Sequence, residues 1–157
     1  MKTLTLFLCI TFACYSHAQN YILSSGKDIP DINIGNTIKS NSPIFKIKGI
    51  NSTTNEYNYE YIKPITSLVY NHKVDYLIAI VKNNVVIGFM YFLIPKPGEV
   101  NVPQSMIDGF KNKTGYKLGS SGKTYGAIIN NLRFTFRRMN DPVIGGDRLI
   151  FQVKKVS

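Results

Sequence analysis

Few side chains in this 157-residue chain have the type and spacing to do chemistry. Two histidines are present, His17 and His72. His72 stands beside the predicted turn Asn71-His72-Lys73, where an imidazole is expected to be solvated. A Ser-His-Asp triad would have to borrow Ser120 or Ser121, and no Gly-x-Ser-x-Gly elbow exposes either one. Glu56 and Glu60 are close in sequence, but four residues of strand place them about 13 Å apart. A glycosidase pair needs about 5 to 9.5 Å, so these two do not qualify as strand neighbours, and Asp75 remains only a distant partner. Gly119-Ser120-Ser121-Gly122-Lys123-Thr124 has the flavour of a phosphate loop. It lacks the first glycine, because Lys117 holds that place, and a strand rather than a helix is predicted to follow. It reads as a Gly-Ser loop.

Two non-catalytic patterns remain. Arg133, Arg137, Arg148 and Lys154 fall on one parity of two predicted strands, so they share one wet sheet face if those strands are neighbours. Arginine suits bidentate contact with phosphate or carboxylate. Tyr57, Tyr59 and Tyr61 alternate with Glu56, Asn58 and Glu60. That row is either an aromatic strip for a carbohydrate or peptide, or the half-buried face of a strand. No cysteine, histidine or carboxylate cluster with metal-ligand spacing is present, and no cofactor is expected.

The elements that must position these groups are mostly strands. Tyr76 to Ile94 is two apolar runs around Lys82-Asn83-Asn84, rich in Val, Ile, Phe and Tyr. Asparagine tolerates positive φ, so Asn83-Asn84 predicts a two-residue hairpin turn. Counting back from it pairs Lys82 with Val85, Val81 with Val86 and Ala79 with Gly88. One face then carries Tyr76, Ile78, Ile80, Ile87, Phe89 and Tyr91, and the other Leu77, Ala79, Val81, Val86, Met90 and Phe92. Both faces are apolar, so each needs a cover. A membrane span would place Lys82 mid-bilayer at a cost of about 3 kcal/mol, and the hairpin is preferred.

Asn130-Asn131 predicts a second such hairpin, Tyr125–Ile129 with Leu132–Arg138, followed by a last strand over Arg148–Lys154. Ile32-Asn33-Ile34 is a short edge-strand candidate, and Ile44–Lys48 a better strand. Pro103 to Lys111 reads as the one helix, with Met106, Ile107 and Phe110 at helical spacing and Gly115 as its stop. It is the candidate cover for one face of the central hairpin. The expected fold is one α+β domain: a twisted antiparallel sheet of about six to eight strands with one main helix packed on one face. Ile34-Gly35-Asn36-Thr37 resembles the segment that leads into a helix in small periplasmic α+β modules of the β-lactamase-inhibitor-protein type. Lys39 to Pro43 departs from the helical pattern of that group.

Residues 1–18 read as a secretion leader: Lys2, an apolar core from Leu4 to Phe12, and the small-x-small site Ser16-His17-Ala18. Cleavage after Ala18 leaves 19–157 as a single domain that is secreted or periplasmic, with no transmembrane segment. Lipidation at Cys14 is disfavoured, because Thr11-Phe12-Ala13 is a poor lipobox. Both cysteines, Cys9 and Cys14, lie in the leader, which excludes disulfides and thiol chemistry from 19–157. The net charge of +10 suits an anionic envelope partner, though Lys and Asn also follow from base composition. Nucleic-acid motifs are absent, and no specific nucleic acid is expected. The reading is an exported, non-catalytic binding or envelope-assembly module, with an unidentified protein or anionic partner. The alternatives are a hydrolase on cell-wall or polysaccharide substrate, built on His72, and a polyanion binder built on the arginine face.

Overall fold

The computed structural model describes residues 32–140 and 145–156. The proposed leader and the arm up to Asp31 lie outside the described residues. The described chain is one antiparallel sheet with a single helix. In chain order the elements are β1 (Phe45–Asn51), β2 (Glu56–Tyr61), β3 (Leu68–Val69), β4 (His72–Lys82), β5 (Val85–Leu93), α1 (Gln104–Thr114), β6 (Gly119–Ser121), β7 (Thr124–Ile129), β8 (Leu132–Asn140) and β9 (Asp147–Lys155). The strands lie in the order β1-β2-β4-β5-β9-β8-β7-β6, and β3 pairs with β4 off that path. Among the described residues, no helix is long and apolar enough to cross a membrane.

Both double-asparagine turns form. Asn83, Asn84, Asn130 and Asn131 all have positive φ, between 49° and 63°, which is what a two-residue turn with the twist of its strands requires. The first pairings after Asn83-Asn84 are Lys82 with Val85 and Val81 with Val86, as predicted. Then the register slips. Ile80 pairs with Gly88 and Ala79 with Phe89, so Ile87 is an extra residue in β5. A bulge of this kind reverses the facing of every later side chain on its strand. Phe89 and Tyr91 therefore join Leu77, Ala79 and Val81 in the main core, while Met90 and Phe92 move to the outer face with Tyr76 and Ile78. The face assignment from the sequence fails at that residue, and the Ala79/Gly88 pair does not exist.

The inner face holds the large core. Tyr91, Phe89, Phe134, Phe136 and Phe151 are each at most 2% exposed, and α1 lies over them. Pro103 caps α1 and Gly115, at φ 77°, ends it. Met106 and Phe110 are buried, and the Phe110 ring sits 5.4 Å from Phe134 and 5.7 Å from Phe136. The helix thus packs on the inner face, with its Phe110 ring against β8. Gly109 makes the close approach feasible: a Cβ there would come within 2.7 Å of the Tyr70 ring.

Segment 33–38 is not the edge strand expected around Ile32-Asn33-Ile34, nor does a helix follow it. It is a turn that hydrogen-bonds to the start of β5: Gly35 N–H donates to Val86 O (2.8 Å), Val86 N–H to Asn36 O (2.8 Å) and Ile38 N–H to Asn84 O (3.0 Å). The last residue of β5 toward that turn that β9 reaches is Gly88, so the segment occupies the place that β9 leaves.

Candidate functional site

The outer face of β8 is built by strict alternation. Leu132, Phe134 and Phe136 are buried, while Arg133 and Arg137 are exposed with Thr135 half-buried between them. The Asn130-Asn131 turn sets Ile129 opposite Leu132, and the β7–β8 and β8–β9 ladders run on without a bulge. Arg133 consequently faces Lys154, Thr135 faces Gln152, Arg137 faces Ile150 on β9, and Thr124 of β7 faces Arg137. All of these side chains except Ile150, together with Lys155 and Val156, line a cavity of about 350 Å³. Its wall carries four cations, two threonine hydroxyls and an amide.

Like charges directly opposite on neighbouring strands destabilise a sheet, so the Arg133–Lys154 pair needs relief. Lys154 finds it: its ammonium donates to both carboxylate oxygens of Glu56 at 2.8 Å. Arg148 shares the outer face with these groups but lies at its other end, where Nε donates to Asp75 at 3.0 Å. Arg138 is tied to Asp147 and to the Glu99 carbonyl. Lys48 pairs with Glu60 at 2.9 Å. The Arg133 and Arg137 guanidinium groups alone among the described arginines have no acid partner among the described residues. The four cations singled out from the sequence therefore do share a face. Arg133, Arg137 and Lys154 come together in the cavity, and Arg148 stands apart in an ion pair.

His72 is not a solvated turn residue. The turn is Tyr70-Asn71, both at positive φ, and His72 is the first residue of β4 and 1% exposed. Nδ1 lies 2.8 Å from the Tyr70 carbonyl oxygen, and Nε2 lies 3.0 and 3.1 Å from the Glu99 carboxylate oxygens. A carbonyl only accepts, so Nδ1 carries a hydrogen and donates it. The Lys96 N–H also donates to Glu99, at 2.8 Å. Partial burial pushes the Glu99 carboxyl up, but the Lys96 amide and the His72 ring outweigh it, and the group ends below the usual glutamate range. With both ring nitrogens engaged, His72 is a tie between β4 and the loop before α1. The hydrolase alternative asks for His72 beside a carboxylate in a concave site; Glu99 supplies the carboxylate, and the imidazole is buried rather than open to solvent.

The tyrosine row turns inward. Tyr59 is 4% exposed, and Tyr57 and Tyr61 pack against the main core. The Phe45 and Tyr61 rings lie 5.5 Å apart. The Gly-Ser stretch is a tight hairpin: Gly122 has φ 59° and Ser121 pairs with Thr124. A strand follows, as the failed phosphate-loop match requires, and its first residue, Thr124, lines the arginine cavity. Among the described residues, no cluster of three or more His, Cys, Asp or Glu could hold a metal.

Sequence reasoning missed Glu99 and the acid partners of Lys154 and Arg148. The parity of β9 does put Gln152 on the outer face with Lys154. The partnerships of Glu56 and Asp75 were not legible, because they join residues 98 and 73 positions apart. Comparison of the chain with protein-family models, with curated proteins and with solved structures found no match to any of them.

Proposed function

We propose that this protein is an exported, non-catalytic binding module that holds an anionic group in the Arg133–Arg137 cavity. One observation carries the reading. Arg138, Arg148, Lys154 and Lys48 each have an acid partner, and the two arginines that line the cavity have none among the described residues. Uncompensated guanidinium groups beside hydroxyl and amide donors are suited to a phosphate, sulfate or carboxylate. The +10 net charge draws such a ligand from solution. An exported module would meet these groups on envelope components.

Retention on immobilised heparin tests the reading. The protein should elute at a salt-dependent position, and Arg133→Ala with Arg137→Ala should move it to markedly lower salt. Lys46→Ala with Lys63→Ala removes two exposed cations elsewhere and should shift elution much less. Equal shifts from the two double variants would mean that net charge, not the cavity, does the binding.

A further inference from the structure

We infer that the cavity is the polar half of a longer site and that its ligand is an anionic amphiphile: a phosphate- or sulfate-type head group carrying an alkyl chain. The inference rests on the anion-binding reading above. The sheet register lays three rows of residues across the outer face from β8 to β4. Arg137 neighbours Ile150, then Phe92, then Tyr76. Thr135 neighbours Gln152, then Met90, then Ile78. Arg133 neighbours Lys154, then Gly88, then Ile80. Every row is cationic or polar at β8 and ends on a tyrosine or isoleucine at β4. Adjacent strands are about 4.8 Å apart, so the change takes only about 10 to 15 Å.

The two recesses meet in the middle row. Gln152 lines the arginine cavity, and its cross-strand partner Met90 lines an apolar groove of about 200 Å³ together with Tyr76, Ile78 and Phe92. Tyr76 and Phe92 stack at 4.1 Å and 13° to form one wall. Lys48, Asn58 and Glu60 make the far rim. In the third row Lys154 reaches past Gly88 and Ile80 to Glu56 on β2. Ile78 and Phe92 are 4% and 8% exposed, so Met90 and Tyr76 supply most of the apolar surface that the groove offers. The charge beside it narrows the occupant, since a plain hydrocarbon would leave the arginines without a partner and a bare anion would leave the groove wet. A head group at Arg133 and Arg137 with its chain turned along Met90 toward Ile78 satisfies both.

Titration calorimetry with three probes tests this: inorganic phosphate, decyl phosphate below its micelle concentration, and uncharged decyl maltoside. Decyl phosphate should bind at least 10-fold tighter than phosphate, and decyl maltoside weakly. Met90 is half-buried, and Met90→Gln keeps its length and adds no charge beside the arginines, so it should remove most of the decyl phosphate gain while sparing phosphate binding. Should Met90→Gln fail to fold, Met90→Ser serves the same comparison. Phosphate binding with no gain from the decyl chain, or a gain that survives at Met90, overturns the amphiphile and leaves the anion cavity standing. Decyl maltoside binding as tightly as decyl phosphate overturns it too. Binding of neither anion overturns both readings.

Discussion

The hairpins β4–β5 and β7–β8 start from one turn, two consecutive asparagines at positive φ, and diverge from there. In β4–β5 the ladder breaks at Ile87 and again at Asp75, and both faces are apolar. In β7–β8 the ladder is unbroken, one face is core and the other carries Arg133, Thr135 and Arg137. Their positions account for the contrast. β4–β5 lies inside the sheet between β2 and β9, and its side chains serve the core on one face and the Ile78–Phe92–Ile150 cluster on the other. β7–β8 lies toward one end, where a single buried face suffices. A shared turn sets only the first pairings, and the extra residue decides what the strand presents.

Removing the bulge tests the comparison most directly. Deleting Ile87 takes out the unpaired residue and leaves Ile80 opposite Gly88 and Ala79 opposite Phe89, so Phe89 and Tyr91 stay inward in a ladder as regular as that of β7–β8. Deleting Met90, in the regular part of β5, reverses Tyr91 instead. Tyr91 is 1% exposed, and losing a buried aromatic costs about 3 to 5 kcal/mol. The Ile87 deletion should keep dispersed amide resonances, and the Met90 deletion should lose about that much stability in urea denaturation; equal damage from the two would show that the bulge does not set the facing.

Glycine substitution gives a smaller effect and a direct ratio between the two regions. A Cβ at Gly88 would lie 2.5 Å from the Val153 carbonyl oxygen and 2.9 Å from Lys154 Cα, both backbone atoms. A Cβ at Gly126 would lie 3.1 Å from the Phe134 carbonyl oxygen. Overpacking costs typically about 1 to 3 kcal/mol, so Gly88→Ala should lose about 3 kcal/mol and Gly126→Ala about 1 kcal/mol or less in urea denaturation. Equal losses would mean that the ladder at Ile87 relaxes freely.

The smallest effect is at the seam between the hairpins. Glu99 takes His72 from β4 through its carboxylate and Arg138 from β8 through its carbonyl. The folded state holds the Glu99 carboxyl below its ordinary value of 4.5. A depressed carboxyl stabilises the fold above the unfolded value and loses that contribution as pH falls through the folded value. Glu99→Gln should flatten the acid side of the stability curve below about pH 4.5, with little change in its slope near neutrality. An unchanged acid slope would assign that slope to other carboxylates.

Much of this contrast is legible in the residue pattern, and the limits are physical. The turns, the helix and the outer face of β8 depend on residues within one element, where alternation and asparagine's tolerance of positive φ decide the outcome. Arg133 and Arg137 could be placed together because no bulge intervenes between them. The bulge left one local trace, an isolated glycine inside an apolar strand, and Gly88 reads equally well as a shallow dip in a regular pair. His72 with Glu99, and Lys154 with Glu56, depend on chain crossings 27 and 98 residues long. Local spacing carries no record of those, so His72 reads as a wet turn residue although it is a buried tie.

The turn at Gly35–Ile38 has a practical consequence for where the chain can be trimmed. β1 begins at Phe45, which would make a natural starting point for a shortened protein. Such a fragment would strip the amide and carbonyl of Val86, a residue with 0% exposure, of the partners supplied by Asn36 and Gly35. Buried main-chain groups left without partners are costly. The minimal folding unit therefore extends upstream of its first strand and includes Gly35 and Asn36.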